Sequence, residues 1–138
     1  MTWATIKKDA ATKARAVLPD PDATRAGFDW DEARAMLDGL SDGALNIAYE
    51  AVDRHVHNGL ADKTAFRLIA KDESATDISY RELMRQKNRF ANALRSLGVD
   101  KGDRVYSLLG RVPQLYISVL GTLKAGCVFS PLFSAFGP

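Results

Sequence analysis

Hydrophobic residues recur at helical spacing near the start of the chain. The stripe consists of Trp3, Ile6, Ala10, Ala14 and Val17. This spacing predicts an amphipathic helix over residues 3–18 that packs on the body of the protein. A helix lying on a membrane surface is the alternative, but a stripe made mostly of alanine has weak affinity for lipid. Pro19 and Pro21 then interrupt the helical pattern.

Capping signals predict two further short helices. Asp29 followed by Glu32 forms a capping box for a helix that reaches about Leu37. Asn46 is a candidate N-cap for a helix that ends at Gly59. The residues expected to face inward on this helix are Ala48, Ala51, Val52 and Val56. His55 and His57 lie two residues apart, so they point from different faces and do not favour a metal site.

The hydrophobic period changes to two at Thr64. Residues 64–69 and 77–80 read as the strands of a β-hairpin, with a polar turn at residues 71–74. Ser79 and Glu82 then form a second capping box, and the helix that follows stops at Gly98. Its inward face is predicted to carry Leu83, Met84, Phe90, Ala91, Leu94 and Leu97. Its cations are expected on the solvated face, and they are Arg81, Arg85, Lys87, Arg89 and Arg95.

The last forty residues read as strand, helix, strand. Val105 to Leu109 and Cys127 to Leu132 are apolar runs typical of parallel strands covered on both faces. A helix between them starts at Pro113 and ends at Gly126. Its buried face is predicted to carry Tyr116, Val119, Leu120 and Leu123. The fold class is therefore α/β, with a helical N-terminal arm, a β-hairpin and the start of a βαβ unit.

Composition narrows the class of protein. The 138 residues are 46% hydrophobic and 26% charged, as in ordinary soluble domains. A net charge of +2 gives no basis for nucleic-acid binding. No apolar run is long enough for a membrane helix, and no signal peptide is visible. Cys127 is the single cysteine, which fits a reducing, cytoplasmic environment and a buried thiol rather than a nucleophile.

Catalytic motifs are missing from the sequence. It contains no Gly-x-Gly-x-x-Gly, no Gly-x-x-x-x-Gly-Lys-[Ser/Thr] and no Gly-x-Ser-x-Gly pattern. Its acidic residues form no pair suited to acid–base catalysis. One general rule applies: in open parallel sheets, ligands bind beyond the carboxyl ends of the strands. Here those ends are residues 109–111 and 132–137.

Several segments resemble the acetyl-CoA synthetases of the acyl-adenylate-forming (AMP-binding) superfamily. The resemblance covers residues 45–138 and leaves 1–44 as a variable helical arm. It rests on residues 46–55, 79–83, 88–92, 97–99, 101–105, 113–116, 121–126 and 131–138. It implies a ligase that uses ATP and Mg²⁺ to convert acetate to acetyl-AMP and pyrophosphate. CoA then displaces AMP to give acetyl-CoA.

The same resemblance implies that the reacting groups lie outside this chain. The family's phosphate loop, Mg²⁺-coordinating Glu, ribose-binding Asp and adenylation lysine all fall downstream of the position of Pro138. No catalytic or metal-binding residue is therefore assigned. The large domain is expected to be incomplete and the chain inactive alone. The remainder of a parent chain is expected to cover its open sheet.

One family element falls inside the chain, the loop after the second strand that borders the CoA site. Relatives typically read Phe-Gly-Gly-Phe there, whereas this chain reads Phe-Ser-Ala-Phe. Phe133, Ser134 and Ala135 are the resulting candidates for CoA-neighbouring residues. The absence of the two glycines weakens the expectation of a close backbone approach. Propionate or another short acid as substrate, and a non-catalytic CoA-binding or interaction module, are the alternatives.

Overall fold

A computed structural model describes residue 4 and residues 6–132, which divide into two units at Leu37 and Asp38. The first unit contains three short helices, α1 (Ala10–Ala14), α2 (Pro21–Ala26) and α3 (Trp30–Ala35). None of them has a buried residue. Each begins at an aspartate whose carboxylate accepts a hydrogen bond from a backbone N–H of the first turn.

The prediction of one long helix over residues 3–18 is wrong. The helix is five residues long, and Ile6 and Val17 of the proposed stripe are exposed, while Trp3 lies outside the described residues. A stripe made mostly of alanine gains little from burial, which leaves α1 without a strong apolar anchor. Helix α2, capped by Asp20, was not predicted. The capping box at Asp29 is confirmed, since its Oδ1 accepts from the N–H groups of Asp31 and Glu32.

The second unit opens with a helical segment built from two π-helical stretches, Tyr49–Asp53 and Val56–Leu60. Asn46 caps it as predicted, because its Oδ1 accepts from the N–H of Ala48 at 3.0 Å and of Tyr49 at 3.1 Å. Ala48 and Val52 are buried as expected, but Ala51 is exposed and Asp53 is buried instead. The wider π turn shifts which side chains face inward.

The predicted hairpin is confirmed. Strand β1 (Thr64–Ile69) pairs antiparallel with β2 (Ala75–Ser79), placing Phe66 opposite Ile78. Helix α4 (Tyr80–Ser96) follows at once, with Ser79 Oγ accepting from the N–H of Glu82 at 3.3 Å. It ends as predicted at Gly98, whose φ of +79° suits glycine.

Helix α4 supplies much of the core of the second unit. The buried apolar residues of this unit are Ala48, Val52, Ala61, Leu83, Ala91, Leu94 and Cys127. Two predictions for this helix are wrong. Leu97 is exposed, because it lies beyond the last turn, and Lys87 is completely buried rather than solvated.

The strand–helix–strand prediction is confirmed as β3 (Arg104–Ser107), α5 (Pro113–Lys124) and a parallel partner strand, β4 (Val128–Pro131). The two strands are not covered on both faces, however: Tyr106 is 64% exposed and Val128 is 50% exposed. No other strand pairs with β3 or β4 within the described part of the chain. The α/β fold class is therefore confirmed, while the expected double burial of these strands is wrong for residues 6–132.

The predicted buried face of α5 is also wrong. Tyr116 is exposed, and Val119, Leu120 and Leu123 are only half-buried. The buried residues are instead the small ones, Ser118, Gly121 and Thr122. They face α4, which approaches too closely for large side chains.

Candidate functional site

The carboxyl ends of β3 and β4 lie side by side. The register pairs Ser107 with Pro131, and the N–H of Leu132 donates to the Ser107 carbonyl at 2.7 Å. The chain therefore leaves both strands at the same edge of the sheet, where ligands of open parallel sheets bind. This edge is the candidate functional site.

The sequence-predicted site residues Phe133, Ser134 and Ala135 lie outside the described residues, so their neighbourhood to CoA stays a prediction. The structure does locate the residue that precedes them. Leu132 is tied to the end of β3 through the hydrogen bond to Ser107. The described part of the chain therefore reaches the carboxyl edge of the sheet at Leu132.

Ser107 is a polar residue at this edge that sequence reasoning passed over. It is 9% exposed, and its Oγ has no hydrogen-bond partner among the residues that the structure describes. A buried hydroxyl without a partner carries a desolvation cost. Its signal in the sequence is a serine in the middle of an otherwise apolar run at residues 105–109.

A cleft lies between the β-hairpin and the start of α5, next to the segment that follows β3. Its lining residues are Leu68, Ile69, Ala70, Ser74, Thr76, Arg111 and Pro113. The ring centroids of Phe66 and Tyr116 lie 5.1 Å apart, and this contact packs the hairpin against α5. The cleft combines one cation with two hydroxyl groups and apolar walls. Such a lining is chemically suited to an anionic group attached to a carbon chain.

A cluster of charged side chains lies where the π-helical segment, α4 and α5 meet. Lys87 Nζ donates a hydrogen bond to Asp53 Oδ2, and Lys124 Nζ lies 3.6 Å from Asp53 Oδ1. Burial lowers the pKa of Lys87, and the hydrogen bond and charge of Asp53 oppose that shift. Lys124 also lies over the Tyr49 ring, 5.6 Å from its centroid. This cluster links the π-helical segment, α4 and α5.

Two further contacts fix α5, and with it the start of β4. A Cβ at Gly121 would lie 2.7 Å from Phe90 Cδ1 and 2.9 Å from the Lys87 carbonyl oxygen, so the α4–α5 approach requires glycine. Asn46 Nδ2 donates to the Leu123 carbonyl at 3.0 Å, which satisfies a carbonyl at the end of α5. The carboxyl edge is therefore held by a close-packed helical frame.

No metal centre or membrane span occurs in the part of the chain that the structure describes. Within residues 6–132, no group of three or more His, Cys, Asp or Glu side chains is arranged to hold a metal ion. No described helix is both long and apolar enough to cross a bilayer. No residue of this range is therefore assigned to Mg²⁺.

The sequence matches a family described as "AMP-binding enzyme" over residues 52–138. It is 39% identical over 122 residues to an acetyl-coenzyme A synthetase of Bacillus subtilis, a match that covers 86% of this chain and 21% of that protein. It is 42% identical over 109 residues to an acetyl-coenzyme A synthetase of Laribacter hongkongensis, covering 79% of this chain and 16% of that protein.

Solved structures give a matching fold. The crystal structure of a Brucella canis acyl-CoA synthetase superimposes with a TM-score of 0.75 at 34% identity, covering 85% of this chain and 21% of that one. An acetoacetyl-CoA synthetase from Streptomyces lividans gives a TM-score of 0.62 at 31% identity, covering 67% of this chain and 14% of that one. This chain thus spans about a fifth or less of the length of these relatives. Since the family match extends over residues 52–138, well over half of the chain, the protein belongs to the AMP-binding enzyme family.

Proposed function

We propose that this chain is the N-terminal part of an ATP-dependent acetate–CoA ligase. In the proposed reaction, a carboxylate oxygen of acetate attacks the α-phosphorus of ATP and displaces pyrophosphate. The CoA sulfur then attacks the carbonyl carbon of acetyl-AMP and displaces AMP. Adenylation turns a poor leaving group into a good one, which is why the thiol attacks the adenylate rather than acetate itself.

One observation carries the proposal: the family match at residues 52–138 includes the β3–α5–β4 unit and the loop after it. Relatives named acetyl-coenzyme A synthetase are about 40% identical over most of this chain. That similarity supports acetate as the acid and CoA as the acceptor.

In this proposal the chain contributes one wall of the CoA site. Residues 133–135 would lie beside CoA. The backbone hydrogen bond from Leu132 to Ser107 would hold the residue that precedes them at the end of β3. The buried contacts of Asp53, Lys87 and Gly121 would keep α5 and β4 in place beneath it. None of these residues takes part in bond making or breaking.

The 138-residue chain is proposed to be inactive by itself. The match covers 21% of the Bacillus relative, and the described residues include no group of three or more His, Cys, Asp or Glu side chains that could hold a metal ion. Catalysis of phosphoryl chemistry depends on donors and cations placed around the developing charge. Those groups would come from the rest of the protein.

The proposal also includes the cellular location, the domain division and the cover of the sheet. The protein is expected to be cytoplasmic, consistent with a buried free thiol at Cys127. The arm over residues 1–44 and the domain from residue 45 stay a predicted division. The exposed face of β3 and β4, with Tyr106 and Val128, is proposed to be covered by further residues of the large domain.

A second candidate function changes only the acid. Two of the solved structures that match are an acyl-CoA synthetase and an acetoacetyl-CoA synthetase, so another short acyl acid such as propionate is the specific alternative. A non-catalytic CoA-binding module is the alternative outside enzymes.

Acid-dependent exchange of labelled pyrophosphate into ATP tests these candidates. The complete protein containing this chain would be assayed with acetate, propionate and acetoacetate in parallel. Higher kcat/KM with acetate supports the proposal, and a preference for another acid supports the second candidate. No exchange with any acid, together with retained CoA binding, would support the non-catalytic module.

A further inference from the structure

A small depression lies beside the buried charge cluster, on the surface of α4 near the end of α5. Its lining residues are Asn88, Ala91, Asn92, Arg95 and Lys124, and we call it the basic depression. We infer that the basic depression is a binding site for a small oxyanion of the phosphate type. The inference does not rest on the proposed ligase activity.

The basic depression and the charge cluster beside it carry an excess of positive charge. Two lysines, Lys87 and Lys124, share the single carboxylate of Asp53. Lys87 and Asp53 are buried and the Lys124 side chain is 28% exposed, so the cluster carries one more positive charge than the Asp53 carboxylate balances. Arg95 adds another cation, and no hydrogen bond or ion pair ties its guanidinium group to any residue within 6–132. The described lining contains no acidic side chain, so the local charge favours an anion.

Side chains that can donate hydrogen bonds line the basic depression. Arg95 offers a planar fork of N–H groups and Lys124 an ammonium, the two side chains most used to bind phosphate. Asn88 and Asn92 add amide groups from the same face of α4, one turn apart. Asn88 Oδ1 lies 3.5 Å from Lys87 Nζ, an arrangement that leaves its amide NH₂ group as the available donor.

The size of the basic depression selects the class of ligand. It holds about 180 Å³, which is below the roughly 300 Å³ at which drug-sized ligand pockets begin. A phosphate group fits this space, while a whole nucleotide does not. The ligand is therefore a free phosphate ion or the phosphate group of a larger ester whose remainder lies in solvent.

A purely structural role for the same cations makes a different prediction. Arg95 and Lys124 both lie in the last turn of a helix, where a positive charge stabilises the negative end of the helix dipole. That role requires no ligand. It therefore predicts no saturable response to phosphate and no shared effect of substitutions at the lining residues.

Titration of the ¹⁵N-labelled 138-residue chain with inorganic phosphate tests the inference, with glycerol phosphate and acetate as further probes. We expect saturable shifts centred on the amides of residues 88–95 and 124, and weaker binding as NaCl is raised. Arg95→Gln should weaken phosphate binding about tenfold, the loss of one charge-assisted contact. Asn92→Asp should abolish it by placing a negative charge in the depression.

Arg89→Gln is the matched control, since Arg89 is an exposed cation on the same helix that does not line the depression. We expect less than a twofold effect. All three variants alter exposed side chains, and an unchanged spectrum without phosphate verifies their fold. Binding of both phosphate and glycerol phosphate identifies a phosphate-group site; binding of phosphate alone identifies a free-ion site. Shifts that do not saturate, equal losses in R95Q and R89Q, or acetate binding as tight as phosphate would overturn the inference.

Discussion

The ammonium group of Lys87 and the carboxylate of Asp53 form an ion pair in the core between the π-helical segment and α4. Lys87 is 0% exposed and Asp53 is 4% exposed, and the second lysine of this cluster, Lys124, approaches the same carboxylate. A buried charge left without its partner is strongly destabilising. The arrangement is asymmetric, because the carboxylate has two cationic neighbours and Lys87 has one anionic neighbour.

This asymmetry predicts that replacing Asp53 lowers the free energy of unfolding more than replacing Lys87. Asp53→Asn leaves Lys87 buried without a counter-charge and should lower the free energy of unfolding by about 3–5 kcal/mol. Lys87→Met leaves Asp53 beside Lys124 and should cost less. Urea denaturation measures both, with Lys63→Met, an exposed lysine, as a control expected within about 0.5 kcal/mol of wild type. An equal or larger loss in K87M than in D53N contradicts this account of the cluster.

A second prediction concerns the close approach of α4 and α5. Gly121→Ala adds a Cβ 2.7 Å from Phe90 Cδ1, so the helices must separate. We expect a loss of about 1–3 kcal/mol, despite the higher helix propensity of alanine. Gly110→Ala is the matched control, because nothing lies within 4 Å of its added Cβ. Thermal or urea unfolding compares the two, and a G121A variant as stable as G110A would show that the approach is looser than described.

The pH dependence of stability supplies a third prediction. Hydrogen bonds from Arg85 and then Gln86 lower the pKa of Glu82 to about 2 in the folded protein, from its usual value of 4.5. A carboxyl group with a lowered folded pKa contributes stability that is present above the unfolded pKa. That contribution is lost as pH falls from about 4.5 towards 2.

Glu82→Gln should therefore reduce stability at pH 6 and should reduce it progressively less as the pH falls below about 4.5. Urea midpoints of wild type and E82Q between pH 3 and 6 test this. Glu32→Gln, at the same third position of a capped helix, is the control for replacing a carboxylate near a helix start by its amide. A difference between E82Q and wild type that is constant over this range contradicts the role of Arg85 and Gln86.

A fourth prediction tests the wall proposed for CoA. In the complete protein, Phe133→Ala should raise the KM for CoA by about threefold to tenfold through loss of aromatic contact. It should leave acetate-dependent pyrophosphate exchange unchanged, because that step precedes CoA. Leu97→Ala, an exposed position after the last turn of α4, is the control. If F133A slows exchange and the CoA step equally, residue 133 acts on the fold rather than on CoA.

Much of the local structure follows from the sequence because its signals are local. The caps at Asp29, Asn46 and Ser79 each satisfy backbone N–H groups within three residues, so their spacing is sufficient to place a helix start. The β-hairpin and the helix stop at Gly98 are equally local.

The burial pattern is set by distant partners and follows less well. Lys87 reads as a surface cation until Asp53, 34 positions earlier, is brought beside it. Helix α5 buries Ser118 and Thr122 instead of Tyr116 because α4 packs closely at Gly121, which periodicity does not reveal. The loop expected to border CoA was predicted from the family resemblance alone. In the described residues, the related observation is the register of β3 and β4, which precedes that loop.

The most direct measurement of the central claim compares two proteins in one assay, acetate- and ATP-dependent formation of acetyl-CoA and AMP. The complete protein that contains this sequence and the 138-residue chain alone would be assayed at equal concentration. The account predicts acetyl-CoA and AMP in equal amounts from the complete protein and no turnover by the chain. Turnover by the 138-residue chain itself, or a complete protein that forms no acetyl-CoA from acetate, would contradict it.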